Sequence, residues 1–301
     1  MSNSDQIQRF MFEHHDIRGE LVGLDDAYQT VIRKNDYSDP VKQLLGEWMA
    51  AASLLSEILK FEGSVILQAR GNEGIGILMA ECTHEQKIRA IAQVHGDVTT
   101  TSIKELFSAG HLVITIQPEK GSRYQGIVPM DSDSLAKCLE HYFEQSEQLP
   151  TRIWLQADGK QAAGLFLQKL PVEQDATDEE KETSHHQWEH AVTLADTIKA
   201  EELLSLDNDS ILHRLYHEED IRLFDVQDID FHCTCSRDRT AESIKTVGKD
   251  ELLSILESEP EINVTCQFCN ETYSFDKIDI TSFFEGTHSS DGTDPNDSSV
   301  H

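Results

Sequence analysis

Apolar positions along this chain fall into three patterns. From residue 10 to Pro171, strand-like and helix-like spacings alternate. IRGELVGL, residues 17–24, alternates as a half-buried strand does, with Ile17, Leu21 and Leu24 as core positions. A helix then starts with Asp39 as its N-cap and Pro40 in its first turn, and its pattern runs to about Lys60, before Gly63. Its apolar residues, among them Leu44, Leu45, Trp48, Met49, Leu54, Leu55 and Ile58, cover nearly every face, so the helix belongs inside a domain, sandwiched between sheets. SVILQAR (64–70) and GIGILMAE (74–81) flank a Gly-Asn-Glu-Gly turn and read as a β-hairpin. Further strands are expected at 111–117, 123–129, 151–157 and 163–169. A helix is expected from Asp133 to Gln145, with Leu135, Cys138, Leu139, Tyr142 and Phe143 on one face. The fold class is α+β, with β-sheets packed around a buried central helix over residues 1–171.

The second pattern covers residues 172–232, where 18 acidic residues face 4 basic ones, a net of −14. Trp188, Val192, Ala195 and Ile198 recur at helical spacing, and after the Asn208-Asp209-Ser210 break so do Ile211, Leu212, Leu215 and Tyr216. These are amphipathic helices dense in like charge. Without an apolar surface to dock on, repulsion and ordering entropy leave them marginally folded, and they read as a helical linker.

The third pattern, residues 233–285, is short and centres on cysteine. Cys233-Thr234-Cys235 and Cys266-Gln267-Phe268-Cys269 hold four of the six cysteines in 301 residues, with thirty residues between the pairs. Such a gap lets the second pair fold back and complete a tetrahedron, so Cys233, Cys235, Cys266 and Cys269 are the expected ligands of one Zn2+. Thr240 is placed to cap a short helix that stops at Gly248, and Asp250 to cap another through Leu252, Leu253 and Ile255. Ile262 and Val264 lead as a strand into the second pair, and Tyr273 and Phe275 follow as its hairpin mate. Arg237, Arg239 and Lys245 either offset the negative charge of a zinc-thiolate centre or serve as surface solubilising residues. Residues 286–301, mostly Ser, Asp, Gly, Thr and Pro, read as disordered.

The first pair is CxC, tighter than the CxxC of most structural zinc sites. Thiolates held this close invite redox chemistry, because the thiolate is the form an oxidant attacks and a neighbouring sulfur can resolve a sulfenic acid as a disulfide. CTCSRDR, VGKDELLSIL and VTCQFCNETYSF, in that order, resemble the redox-switch domain of the heat shock protein 33 family of holdase chaperones. IRGELVGL, LLGEWMAAASLLSEILKFEGSVILQARG and EHYFEQSEQLPTRIWL extend the resemblance over nearly the whole chain. It implies a substrate-binding and dimerisation domain, a metastable linker and a zinc-binding redox switch. It also implies one Zn2+ per reduced chain, disulfides joining Cys233 to Cys235 and Cys266 to Cys269 on oxidation, and unfolding client proteins as partners of an oxidised homodimer.

Charge and composition narrow the alternatives. With 25 Lys+Arg against 55 Asp+Glu the net charge is −30, which repels a phosphate backbone, so nucleic acid is not an expected partner. Mean hydropathy is −0.44, no apolar run is long enough to span a bilayer, and MSNSDQIQRF has no secretory pattern; a cytoplasmic location without membrane contact is expected. GxSxG, HExxH and Walker motifs are missing, and Gly71, Gly74 and Gly76 form no phosphate loop, so no enzyme activity is expected. His14 and His15 have no local cluster to act with. Cys82 and Cys138 are expected core residues. Two other readings stand beside the chaperone: a zinc-ribbon adaptor whose metal is purely structural, and a thiol-disulfide oxidoreductase, which needs a CxxC at a helix start.

Overall fold

The computed structural model describes residues 5–58, 62–71, 74–108, 110–173 and 175–285. Two compact units divide between Cys233 and Thr234. At the centre of the first lies α2, Asp39–Ile58, with Leu44, Leu45, Trp48, Met49 and Leu54 all buried. Burying so apolar a helix needs a layer on each side. Those layers are a five-stranded sheet in the order β10-β1-β2-β9-β8 and a six-stranded sheet in the order β11-β5-β4-β3-β6-β7. The first sheet contains β1 (Gln6–Phe12), β2 (Ile17–Leu24), β8 (Thr151–Ala157), β9 (Ala162–Lys169) and β10 (Ile221–Asp228). The second contains β3 (Gly63–Arg70), β4 (Ile75–Thr83), β5 (Lys87–Val94), β6 (His111–Pro118), β7 (Tyr124–Pro129) and β11 (Asp230–Phe231). Gly46 lets the helix approach β8 and β9 closely, since a Cβ there would meet the Ala157 and Ala162 methyls at 2.5 and 2.9 Å.

The expected hairpin is β3 paired with β4, in a register running from Ser64↔Thr83 to Arg70↔Ile77. Asn72 and Glu73 of its turn, and residues 59–61 at the expected end of the central helix, lie outside the described residues. The four further strands fall at β6, β7, β8 and β9. The helix expected from Asp133 is α4, Leu135–Tyr142, capped by Ser134 and followed by a π-helical turn over Phe143–Glu147. β5 and the short α1, Asp26–Ile32, carry no sequence expectation. In β5 the inward positions include Ala90 and Ala92, whose small side chains blur the two-residue period.

Residues 178–216 form α5 (Asp178–Ala195), α6 (Ala200–Ser205) and α7 (Asn208–Tyr216) within the first unit. A capping box between Thr177 and Glu180 starts α5. These helices do have an apolar surface to dock on, contrary to the condition set in the sequence reading. Trp188, Ala191, Leu203, Ile211, Leu215 and Tyr216 pack with Phe10, Phe12, Ile17, Leu21, Leu165 and Leu167 on the outer face of the five-stranded sheet. The acidic segment also ends as strand rather than helix: β10 pairs antiparallel with β1, and β11 parallel with β5. Exposed Leu223 and Val226 give β10 no core-facing period to read.

The second unit contains α8 (Arg237–Lys245), α9 (Lys249–Ser258), the hairpin β12 (Ile262–Thr265) and β13 (Thr272–Phe275), and α10 (Lys277–Glu285). Both expected caps are displaced. Ser236, not Thr240, caps α8, its Oγ accepting from the Arg239 amide at 3.2 Å. Gly248, with φ of +103°, occupies the N-cap of α9, which leaves Asp250 inside the first turn. The buried apolar core is small: Ala241, Ile244, Leu252, Phe275 and Ile280. The tail expected to be disordered, 286–301, lies outside the described residues.

Candidate metal centre

Each cysteine pair is held by local backbone structure. Cys233 follows β11, and the His232 amide donates to the Ile88 carbonyl at 2.9 Å, which ties the approach to the first pair to β5. Cys235 immediately precedes the Ser236 cap of α8. Cys266 and Cys269 sit in the turn joining β12 to β13. There the Cys266 amide donates to the Glu271 carbonyl and the Asn270 amide to the Cys266 carbonyl, both at 2.8 Å. Asn270 closes that turn with φ of +59°, a left-handed conformation that asparagine tolerates better than most residues.

All four sulfurs lie within 4.8 Å of one another. A tetrahedral zinc site with Zn–S bonds of about 2.3 Å sets its sulfurs roughly 3.8 Å apart, so this donor set fits without rearrangement of the backbone. Four soft thiolates with no carboxylate or histidine among them suit a closed site that leaves no position for substrate or water. The Cys235 and Cys269 sulfurs are 3.2 Å apart, and the Tyr273 hydroxyl is 3.2 Å from Cys235 Sγ. All four cysteines are partly exposed, within reach of a small oxidant.

The cations expected around the site divide by role. Arg239 Nη1 donates to the carbonyl of Thr234, the residue between the first two cysteines, at 2.8 Å. Arg237 pairs with Asp279 at 2.7 Å and lies over the Phe275 ring, and Lys245 pairs with Glu242. Sequence reasoning missed Arg89 on β5. Burial alone would lower its pKa, but Glu81 and Cys233 outweigh that and hold it above the usual arginine value. Reasoning from sequence also gave Tyr273 only a packing role. Its hydrogen bond to Cys235, with burial second, raises its pKa above that of an ordinary phenol. The signal was present in the two-residue period that sets Tyr273 on the same face of β13 as buried Phe275.

The remaining cysteines are not members of the cluster. Cys82 and Cys138 are completely buried, as expected. Burial pushes the Cys82 thiol up to about 12, and its sulfur lies among Ser56 and Gln86. His14 and His15 pair with Asp220 and Glu219 at 3.1 and 2.9 Å.

Fold and centre together define an α+β protein in which a large two-sheet unit ending at Cys233 precedes a small unit that carries the other three of the four clustered cysteines. The sequence model of the Hsp33 protein family matches residues 5–276. The chain is 48% identical over 292 residues to the 33 kDa chaperonin of Pseudomonas paraeruginosa, covering 96% of this chain and 97% of that protein. It is 49% identical over 285 residues to the 33 kDa chaperonin of Pseudomonas syringae pv. tomato, covering 94% of each. The crystal structure of the 33 kDa chaperonin homolog from Thermotoga maritima superposes with a TM-score of 0.78 at 20% identity, covering 94% of this chain and 98% of that one. The chain therefore belongs to the Hsp33 family of chaperones. No helix among the described residues is long and apolar enough to cross a membrane.

Proposed function

We propose that this protein is a redox-regulated, ATP-independent holdase, silent while reduced and activated by oxidation. The observation that carries the reading is the gathering of Cys233, Cys235, Cys266 and Cys269 within 4.8 Å, beside an apolar core of five buried residues among those described. In the reduced protein these four residues would hold one Zn2+, which keeps their sulfurs as thiolates and cross-links the small unit. Peroxide then oxidises each pair. Two thiolates, one hydrogen peroxide and two protons give one disulfide and two waters, so each pair loses the two electrons that the O–O bond gains. Cys233 joins Cys235 and Cys266 joins Cys269. Sulfurs bonded to each other no longer offer the charge that holds a dication, and the small unit loses its cross-link.

Its unfolding, followed by that of the acidic segment 172–232, exposes apolar surface that captures unfolding client proteins. The oxidised chain acts as a homodimer in the cytoplasm. The net charge of −30 keeps it dispersed in that state and disfavours nucleic acid. The test is aggregation of thermally unfolding citrate synthase, followed by light scattering with reduced zinc-loaded protein and with peroxide-treated, warmed protein. Suppression by the oxidised form alone is expected; equal suppression by both forms would overturn the switch.

A further inference from the structure

We infer that the Tyr273 hydroxyl is a brake on oxidation of the cysteine centre. This inference rests on the zinc-thiolate reading above and assigns a role to a residue outside the four ligands. Tyr273 is positioned by its strand: it pairs with Val264 across the hairpin, next to the Thr265–Thr272 hydroxyl contact at 2.9 Å, and shares a face of β13 with fully buried Phe275. On that face the phenol hydroxyl stands 3.2 Å from Cys235 Sγ. A thiolate has no hydrogen to give, so the tyrosine is the donor in the reduced centre.

That bond engages the electron density that oxidation uses. Whether Cys235 is attacked first or resolves its neighbour, its sulfur must spend a lone pair. In the first case an S–O bond forms as the peroxide O–O bond breaks and the departing hydroxide takes a proton. In the second an S–S bond forms as the neighbouring sulfenic acid loses its hydroxyl as water. A hydrogen bond to a charged acceptor is stronger than one between neutral groups, and thiolate reactions surrender roughly half of the sulfur's charge at the transition state. Removing the donor should therefore speed oxidation by about 3- to 10-fold.

The experiment compares zinc-loaded full-length protein with its Tyr273→Phe variant under excess peroxide, reading thiol loss with a chromogenic disulfide and zinc release with a metal dye. Both rates should rise by about 3- to 10-fold in the variant. The cobalt-substituted variant should keep a four-thiolate spectrum, with its sulfur-to-cobalt charge-transfer band moved to lower energy, a shift that a packing role alone would not produce. Should Tyr273→Phe fail to assemble that spectrum, 3-fluorotyrosine at position 273, a stronger donor of nearly the same shape, decides the matter by slowing thiol loss. Unchanged rates in an assembled variant, or an unchanged rate with fluorotyrosine, would overturn the inference. A wild-type chain that kept its zinc under peroxide would overturn the proposed switch instead, while the thiol-loss comparison would still decide the role of Tyr273.

Discussion

The two units of this protein solve the problem of burial in opposite ways. In the first, α2 is enclosed by two sheets, and residues as large as Trp48, Tyr28 and Phe107 are fully buried. In the second, the roughly fifty described residues share a buried core of Ala241, Ile244, Leu252, Phe275 and Ile280, with partly buried side chains such as Leu253, Leu256, Ile262 and Phe283 packed against it. Domains of that size bury too small a fraction of their surface to be secure, and commonly rely on a metal or a disulfide. The contrast bears on the proposed switch. On that proposal, a unit with a self-sufficient core keeps its fold when sulfur chemistry changes, and a unit that leans on bonds to sulfur does not. The acidic helices α5 to α7 stand between these cases, since they are ordered by contacts borrowed from the five-stranded sheet.

The sharpest way to break the contrast is to remove one ligand. Cys266→Ser should abolish stoichiometric zinc binding and cost the small unit most of its order, since metal in such domains is worth about 10 to 16 kcal/mol. Hydrogen exchange read by mass spectrometry should then show residues 234–285 unprotected and α2 unchanged. A smaller effect is expected where α7 docks. Leu215→Ala removes a buried side chain from the outer sheet face and should cost about 2 to 5 kcal/mol. Exchange should rise across 178–216 well before it rises in α2, and the amount of peroxide needed for holdase activity should fall.

The third prediction concerns pH and the large unit alone. Glu20 is buried on β2 with Oε2 unpaired, and burial is the main cause that raises its carboxyl to about 8. Its folded value lies above the unfolded one. The stability gained by keeping the proton is thus fully present below about pH 4.5 and is lost as pH rises to about 8. Glu20→Gln should flatten that dependence, stabilising the first unit at pH 8 by about 2 to 4 kcal/mol relative to its effect at pH 5, as read by urea denaturation.

Legibility from sequence followed the same division. The central helix was readable from its N-terminal cap and a long run apolar on nearly every face, and the β3–β4 hairpin and four further strands from short apolar runs bounded by turn residues, although β9 is buried along almost its whole length with no two-residue period. β10 was not, because an edge strand with Leu223 and Val226 exposed has no buried face to reveal it. The docking of α7 was half readable: the stripe of Ile211, Leu212, Leu215 and Tyr216 was plain, but its partners on β1, β2 and β9 are distant in sequence. Spacing alone pointed to the four cysteines. It could not reveal that Arg239 addresses the Thr234 carbonyl or that Tyr273 reaches Cys235, because those contacts depend on how α8 and β13 are set around the turns.

The most direct test is hydrogen exchange over residues 234–285 in zinc-loaded reduced protein and in protein whose four switch thiols have been consumed by peroxide, with thiols and released zinc counted in the same samples. One zinc freed per chain and loss of protection confined at first to the small unit is the predicted result. Full protection of residues 234–285 after all four thiols are gone would contradict the account.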